Sequence, residues 1–214
     1  MSVVTAVLVN DVLRNLELDS AVSNADQIAK FLVYENLNAA QDDILRSFPL
    51  STIPKAVKRT LGSLTNAEDQ YDYETNNIRV LELFLSYSAA ISDNNQGREA
   101  VLVKNGNFST LSLDQRPTTL FPRFRLEDTK FAIRPVPTAD QANGYLVKYI
   151  IRLTQMSSGV DCDLDQTLRN ALAFRATQYC ALVDGYDLAL SAKFEELFNQ
   201  QLVIFGGKNE DGLI

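Results

Sequence analysis

The side chains that could do chemistry form few of the combinations that enzymes use. The chain contains no histidine, which removes the commonest general base and the usual nitrogen ligand of zinc. Its two cysteines, Cys162 and Cys180, show no CxxC or zinc-binding spacing, so we expect two reduced thiols in or beside one helix. Neither a glycine-rich phosphate loop nor a G-x-S-x-G elbow is present. These observations favour a protein that is not an enzyme and carries no cofactor.

Three aspartates, Asp161, Asp163 and Asp165, alternate as they do at the start of a calcium-binding loop. The sixth position of such a loop should be glycine and is Gln166, and the twelfth should be glutamate and is Leu172. Acidic residues also favour helix N-termini for electrostatic reasons. We therefore interpret these aspartates as the start of a helix and expect no bound metal.

Two more acidic groups invite a catalytic interpretation. One lies in the polar segment from Glu68 to Glu74, and the other is the pair Glu195–Glu196. Paired carboxylates perform acid–base chemistry only where burial and neighbours separate their pKa values. Adjacent acids in polar segments are usually a solvated surface, so catalysis by carboxylates is kept only as an alternative.

A stretch that combines arginine with aromatic residues, RPTTLFPRFR, runs from Arg116 to Arg125. Such a stretch could bind single-stranded nucleic acid, although Glu127 and Asp128 follow it immediately. A protein contact is the preferred interpretation, because arginine and aromatic residues are enriched at interfaces. The stretch belongs to a long loop, Asn105 to Arg123, and long loops tend to be functional or disordered. The predicted partner-binding residues here are Phe108, Leu111, Arg116, Phe121, Arg123 and Phe124.

The C-terminal segment has apolar residues at both ends of a polar, glycine-containing stretch. Its predicted partner-binding residues are Val203, Ile204, Phe205, Leu213 and Ile214. A frayed tail without a function is the alternative.

Helices are predicted near both ends of the chain. Apolar spacing predicts one over about Val3 to Leu16 and a longer one from an N-cap at Ser23 to Phe48, ended by Pro49. A third is predicted from a cap at Asp163 to Asp184–Gly185, with a stripe of Leu164, Leu168, Leu172, Ala176, Tyr179 and Val183. A fourth carries Leu190, Phe194, Leu197 and Gln201 and forms an αα-hairpin with the third.

The middle of the chain is predicted to be rich in strands. Strands are expected at Ala100–Val103, entering an Asn105–Gly106 turn, and at Phe131–Arg134 and Tyr145–Leu153, which we predict to pair antiparallel. Ile78–Tyr87 is a strand or a short helix, Ile53–Leu64 is undetermined, and Thr65–Asn77 is predicted to be a loop.

The predicted fold is therefore α+β, with one domain spanning residues 1–214. It consists of a helical part (1–49), a β-rich insertion (50–156), a helical hairpin (157–205) and a tail (206–214). The first residues lack a basic region, so no signal peptide is expected, and no apolar run is long enough to span a bilayer. A net charge of −7 and a pI near 4.7 argue against non-specific binding along DNA.

This layout resembles the head-to-tail connectors of short-tailed phages, the adaptors that lie beneath the portal. The resemblance rests on LNAAQDDILRSFP (Leu37 to Pro49), on FAIRPVPT with YLVKYIIRL, and on the C-terminal helix pair. It implies a structural virion protein, made in the host cytoplasm, that forms a ring of twelve copies and continues the DNA channel. Its partners would be the portal protein and tail nozzle or fibre proteins, while DNA would only pass through. Another neck or tail subunit, or a single-stranded nucleic-acid-binding module, remains the alternative.

Overall fold

The computed structural model describes residues 2–16, 25–73, 76–92, 95–103, 108, 111, 116–127, 129–183 and 187–206. The protein is of the α+β class, with helices towards both ends of the chain and strands between them, as predicted. The chain forms two compact units. We call Met1–Ala56 with Arg152–Ile214 the helical unit and Val57–Ile151 the sheet unit.

The helical unit is built from helices that bury apolar stripes against one another. The helices are α1 (Thr5–Asn15), α2 (Ala25–Ser47), α3 (Arg169–Val183) and α4 (Leu188–Ile204). Helix α3 is central, because it packs against each of the other three. The spacing of Ala29, Val33, Leu37, Ala40, Ile44 and Phe48 predicts the buried stripe of α2, which is confirmed from Val33 to Phe48; the burial of Ala29 lies outside what the structure describes. Pro49 follows the end of the helix. The predicted cap at Ser23 and the predicted end at Asp184–Gly185 lie outside the described residues.

A short sheet in the helical unit corrects the predicted start of the third helix. Strand β1 (Ser2–Val3) pairs antiparallel with β10 (Cys162–Asp165), so Asp163 lies in a strand and caps no helix. Asp165 is the residue that caps, because its carboxylate accepts the backbone N–H of Thr167, at the start of a 3-10 turn, over 3.0 Å. Leu164 is buried in the strand, so spacing alone could not separate it from a helical stripe. The tertiary pairing with β1 decided the local structure.

The buried stripe of α4 is also displaced from the predicted one. The structure buries Ser191, Phe194, Phe198 and Leu202. Of the predicted stripe only Phe194 is fully buried, and Leu190, Leu197 and Gln201 are partly exposed. The sequence offers two overlapping stripes, and ring contacts select the second: Phe198 lies 5.9 Å from Phe48, and Phe194 lies 5.9 Å from Phe174, between centroids.

The sheet unit contains two four-stranded sheets. The first has the order β2 (Val57–Leu64), β9 (Gln141–Ile151), β4 (Asn77–Leu85) and β5 (Arg98–Glu99). The second has the order β3 (Gln70–Asp72), β8 (Lys130–Arg134), β7 (Arg123–Leu126) and β6 (Val101–Leu102). Buried side chains of both sheets form one core, which includes Leu83, Phe124, Phe131, Ile133 and Val147.

The two segments whose secondary structure was left open are largely strands. Strand β4 occupies most of Ile78–Tyr87, and β2 occupies the second half of Ile53–Leu64 after two 3-10 turns. The loop predicted over Thr65–Asn77 is wrong in its centre, where β3 places Tyr71 in the core opposite Phe131. Three residues flanked by polar neighbours are too few for an alternation to be recognised.

The predicted antiparallel pair of Phe131–Arg134 with Tyr145–Leu153 is wrong. Both segments contain strands, β8 and β9, but β8 pairs with β3 and β7, whereas β9 pairs with β2 and β4. The two strands meet only through side chains, where the rings of Phe131 and Tyr145 lie 5.3 Å apart. The alternation of apolar and polar residues shows which side chains of a strand face a core, but it does not show which other strand lies beside it.

The strand predicted at Ala100–Val103 is present as β6. An Asn-Gly turn after it would imply an antiparallel hairpin partner, but the partner of β6 among the described residues is a parallel strand. Strand β6 pairs parallel with β7, through Val101 opposite Arg123 and Leu102 opposite Phe124. The Asn105–Gly106 turn itself lies outside the described residues. Among the helices described, none combines the length and apolar content that crossing a bilayer requires.

Candidate partner-binding surfaces

The outward face of α4 carries an open groove in the helical unit. We call it the α4 groove; it has a volume of about 700 Å³ and is lined by Ala192, Glu195, Glu196, Asn199, Gln200, Val203 and Ile204. Val203 and Ile204 are 75% and 71% exposed, although they are large apolar side chains on a regular helix. Within the described residues no ion pair involves Glu195 or Glu196. The groove therefore combines apolar surface with two carboxylates that form no ion pair with another described residue.

The phase of α4 explains why these residues face outward. Leu202 is buried, so the next two positions of the helix turn away from the core. Phe205 follows the helix and lies against Phe48, with 5.8 Å between the ring centroids, so part of its ring is used inside the helical unit. The remaining predicted residues of the tail, Leu213 and Ile214, lie outside the described residues.

A second exposed apolar surface lies in the sheet unit, on the Thr118–Phe121 turn. The backbone N–H of each end residue donates to the carbonyl of the other, over 3.1 and 3.3 Å, and Phe121 N–H also reaches the Thr118 hydroxyl at 3.1 Å. Pro117 and Pro122 flank the turn and restrict its backbone. The turn holds Leu120 and Phe121 out at 61% and 71% exposure. The turn therefore presents two large apolar side chains from a hydrogen-bonded backbone.

The other predicted residues of this loop have different environments. Phe124 is 5% exposed and belongs to the core, so its ring is not available for stacking on a base. Arg116 is exposed, and Arg123 is partly buried with an Nε atom that has no hydrogen-bond partner among the described residues. Leu111 is half-buried. Of these residues, Arg116 is exposed and close to the turn in sequence, whereas Phe124 is buried in the core.

Phe108 is held on the outer face of the second sheet by two arginines. The guanidinium carbons of Arg125 and Arg134 lie 5.5 and 5.2 Å from the centre of its ring, within the range of cation–π attraction. Arg134 also pairs with Asp69, and Arg125 with Glu127. Phe108 thus fixes one point of the long loop onto the sheet unit.

Many of the described carboxylates form ion pairs with basic side chains. Asp11 accepts two hydrogen bonds from Arg169, over 2.6 and 2.8 Å, and Asp42 pairs with Arg152 at 2.7 Å. Asp43 accepts from Arg175 at 2.7 Å. These contacts join elements within the helical unit and give the acids a structural role. Glu82 and Lys148 form a similar pair across neighbouring strands of the sheet unit.

Two of the three alternating aspartates make contacts with the backbone of the chain. Asp161 accepts the backbone N–H of Thr5 at 3.1 Å, and the Thr167 backbone N–H and hydroxyl lower the pKa of Asp165. In the part of the chain that the structure describes, no group of three or more acidic or cysteine side chains is placed to hold a metal ion.

Both cysteines are buried in the helical unit, and no disulfide joins them. Burial is the main reason that the pKa of Cys162 rises to about 11, and its thiol points to the Gln41 side-chain oxygen at 3.5 Å. A thiol that stays protonated near neutral pH is a weak nucleophile.

Sequence reasoning missed two contributors to these surfaces. Leu120 was not selected, although its position beside Phe121 and between two prolines is a signal of an exposed turn. Glu195 and Glu196 were treated as ordinary solvated surface, and only the phase of α4 shows that they share a groove with Val203 and Ile204.

No protein-family model matches the sequence, and no curated protein matches it. The function is therefore argued from the surfaces themselves.

Proposed function

We propose that this chain is a structural virion protein, an adaptor that assembles into a ring between the portal and the tail of a short-tailed phage and continues the DNA channel. The proposal includes the twelve-copy ring, the binding of portal and of tail nozzle or fibre proteins, and the location in the virion neck. It assigns the chain no catalytic reaction and no cofactor.

One observation carries the proposal: Val203 and Ile204 stand 75% and 71% exposed on the regular helix α4. Isolated exposed apolar residues are common, but two adjacent ones that line one groove indicate a contact surface. The groove is wide and open, and it lines no enclosed chamber that would exclude water from a reaction. A surface of this kind suits protein–protein packing.

Two further features are consistent with the adaptor. Helices from both ends of the chain form the helical unit, and the strand-rich segment is inserted between them, which is the plan that the connector resemblance implies. The net charge of −7 would limit attraction between a channel wall and the phosphates of DNA.

The test is the mass of the purified chain in solution, followed by electron microscopy of the same sample, alone and with the portal protein from the same genome. We expect rings, or a monomer that becomes a ring only on the portal. The double variant Val203→Ser/Ile204→Ser should assemble less, whereas the matched variant Leu182→Ser/Val183→Ser, on adjacent exposed residues at the end of α3, should assemble normally.

A monomer that ignores the portal would contradict the adaptor. If that monomer bound a single-stranded oligonucleotide with an affinity that fell steeply with salt, the nucleic-acid-binding alternative would replace it. The burial of Phe124 counts against that alternative, since it removes one of the aromatic rings on which a base would stack.

A further inference from the structure

We propose that the α4 groove of one copy of this chain receives the Thr118–Phe121 turn of a second copy, in a head-to-tail contact. This inference rests on the self-assembly proposed above and names the surfaces that would produce it.

The two surfaces have complementary charge. The groove has Glu195 and Glu196 and, among its described lining residues, no basic side chain. Exposed Arg116 precedes the turn, whereas Arg123 and Arg125, which follow it on β7, are partly buried, and Arg125 is paired with Glu127. Arg116 is exposed and makes no ion pair within the described residues. Complementary charges of this kind select partners and accelerate their association.

Both surfaces also expose apolar side chains, which would be buried when the two copies come into contact. Leu120 and Phe121 protrude from the turn, and Val203 and Ile204 line one end of the groove. The turn is held by its own hydrogen bonds, so little ordering would be needed on binding.

Charge also argues against contact between like surfaces. Two α4 grooves brought together would place carboxylates against carboxylates, and two turns would place Arg116 against Arg116. Pairing of unlike surfaces remains. A reciprocal pair would stop at two copies, whereas repetition in one direction gives the closed ring that the proposed adaptor requires, or an open filament. The groove alone is smaller than a standard interface, so it would form one part of a larger contact between copies.

The experiment is a charge exchange read by sedimentation velocity on the full chain, with the portal protein present if assembly requires it. Arg116→Glu and the double variant Glu195→Lys/Glu196→Lys should each weaken assembly by about tenfold, which is about 1.4 kcal/mol. The combined variant should recover most of the loss. Arg98→Glu and Glu35→Lys change the same charges at other exposed positions and should have no effect.

Cross-linking supplies the second readout. Leu120→Cys in one preparation and Val203→Cys in another should form a disulfide only after the two are mixed, since the native thiols are buried. Rings that form without this cross-link and ignore the charge variants would overturn the contact and leave the adaptor proposal standing. Groove variants that weaken assembly while turn variants do not would show that another segment fills the groove. A chain that never self-associates, even with portal, would overturn both proposals.

Discussion

Gly62 lies directly beneath the phenol ring of Tyr145, its partner on the neighbouring strand. The two residues are opposite each other on β2 and β9, and a Cβ atom added to Gly62 would stand 2.0 Å from Tyr145 Cζ. Tyr145 also contacts the rings of Tyr71 and Phe131, at 5.4 and 5.3 Å between centroids. The glycine therefore provides the space in which one ring of the sheet-unit core is packed.

Gly62→Ala is expected to destabilise the sheet unit by about 1–3 kcal/mol, because the ring cannot move aside without disturbing its aromatic neighbours. The measurement is the free energy of unfolding in urea. In a Tyr145→Ala background the same substitution should cost much less, which isolates the contact as a double-mutant cycle. An equal cost in both backgrounds would show that backbone preferences at position 62 are responsible.

How much of this fold the sequence predicts depends on how local each decision is. The α2 stripe from Val33 to Phe48 was predictable because a long amphipathic helix repeats its pattern many times. The partner strands of β8 and of β9 were not predictable, since the core that the two sheets share determines which strands become neighbours. The cap at Asp165 depends on pairing with residues at the other end of the chain.

The candidate surfaces show the same division. Phe121 could be selected from an arginine–aromatic stretch in a long loop, and Val203 and Ile204 from the apolar run before the glycine-containing tail; all three are exposed. The groove could not, because Leu197 and Phe198 are adjacent in sequence and only packing against Phe48 decides which of them turns inward. That choice determines which face of α4 is left outside.

Asn38 of α2 clamps the extended segment that follows β9. Its side-chain oxygen accepts the backbone N–H of Met156 at 2.7 Å, and its amide donates to the Met156 carbonyl at 3.1 Å. Asn38→Ala leaves both backbone groups without a partner and should reduce the free energy of unfolding by about 1–3 kcal/mol.

Asn38→Asp keeps the acceptor and loses the donor, so its cost should be smaller than that of the alanine variant. Urea unfolding of both variants at neutral pH provides the comparison. Asn66→Ala removes an exposed asparagine side chain elsewhere and should change little. Equal stability of Asn38→Ala and the original chain would mean that the clamp contributes nothing.

The two native thiols should resist modification in the folded protein. Cys162 and Cys180 are 0% and 1% exposed, so neither is accessible to a reagent, and burial raises the pKa of Cys162 to about 11, which keeps that thiol protonated. We expect no prompt reaction with a thiol reagent at pH 8 and reaction of both thiols after denaturation.

Ser88→Cys supplies the matched control, because position 88 is exposed. In that variant one thiol, the one at position 88, should react at once, while Cys162 and Cys180 do not react. Prompt reaction of two thiols in the original folded chain would contradict the packing of α2, α3 and β10.

Tyr179 and Asp43 form a hydrogen bond between α3 and α2 that should be visible in the alkaline titration of the protein. Burial, followed by the hydrogen bond and the charge of Asp43, raises the pKa of Tyr179 from its ordinary 10 to about 12. The folded protein then holds this proton more tightly than the unfolded chain. Its contribution to stability is complete below pH 10 and is lost as the pH rises from 10 to about 12.

Tyr179→Phe should therefore make the free energy of unfolding fall less steeply between pH 10 and 12, although Tyr71, Tyr87 and Tyr145, whose pKa values are also raised by burial, retain part of the slope. The phenolate absorbance of the original chain minus that of Tyr179→Phe isolates the Tyr179 titration. In Asp43→Asn the pKa of Tyr179 should move down but stay above 10, because burial is the larger cause and persists. A Tyr179 titration at pH 10 in the original chain would mean that the ring is solvated and that its hydrogen bond to α2 is absent in solution.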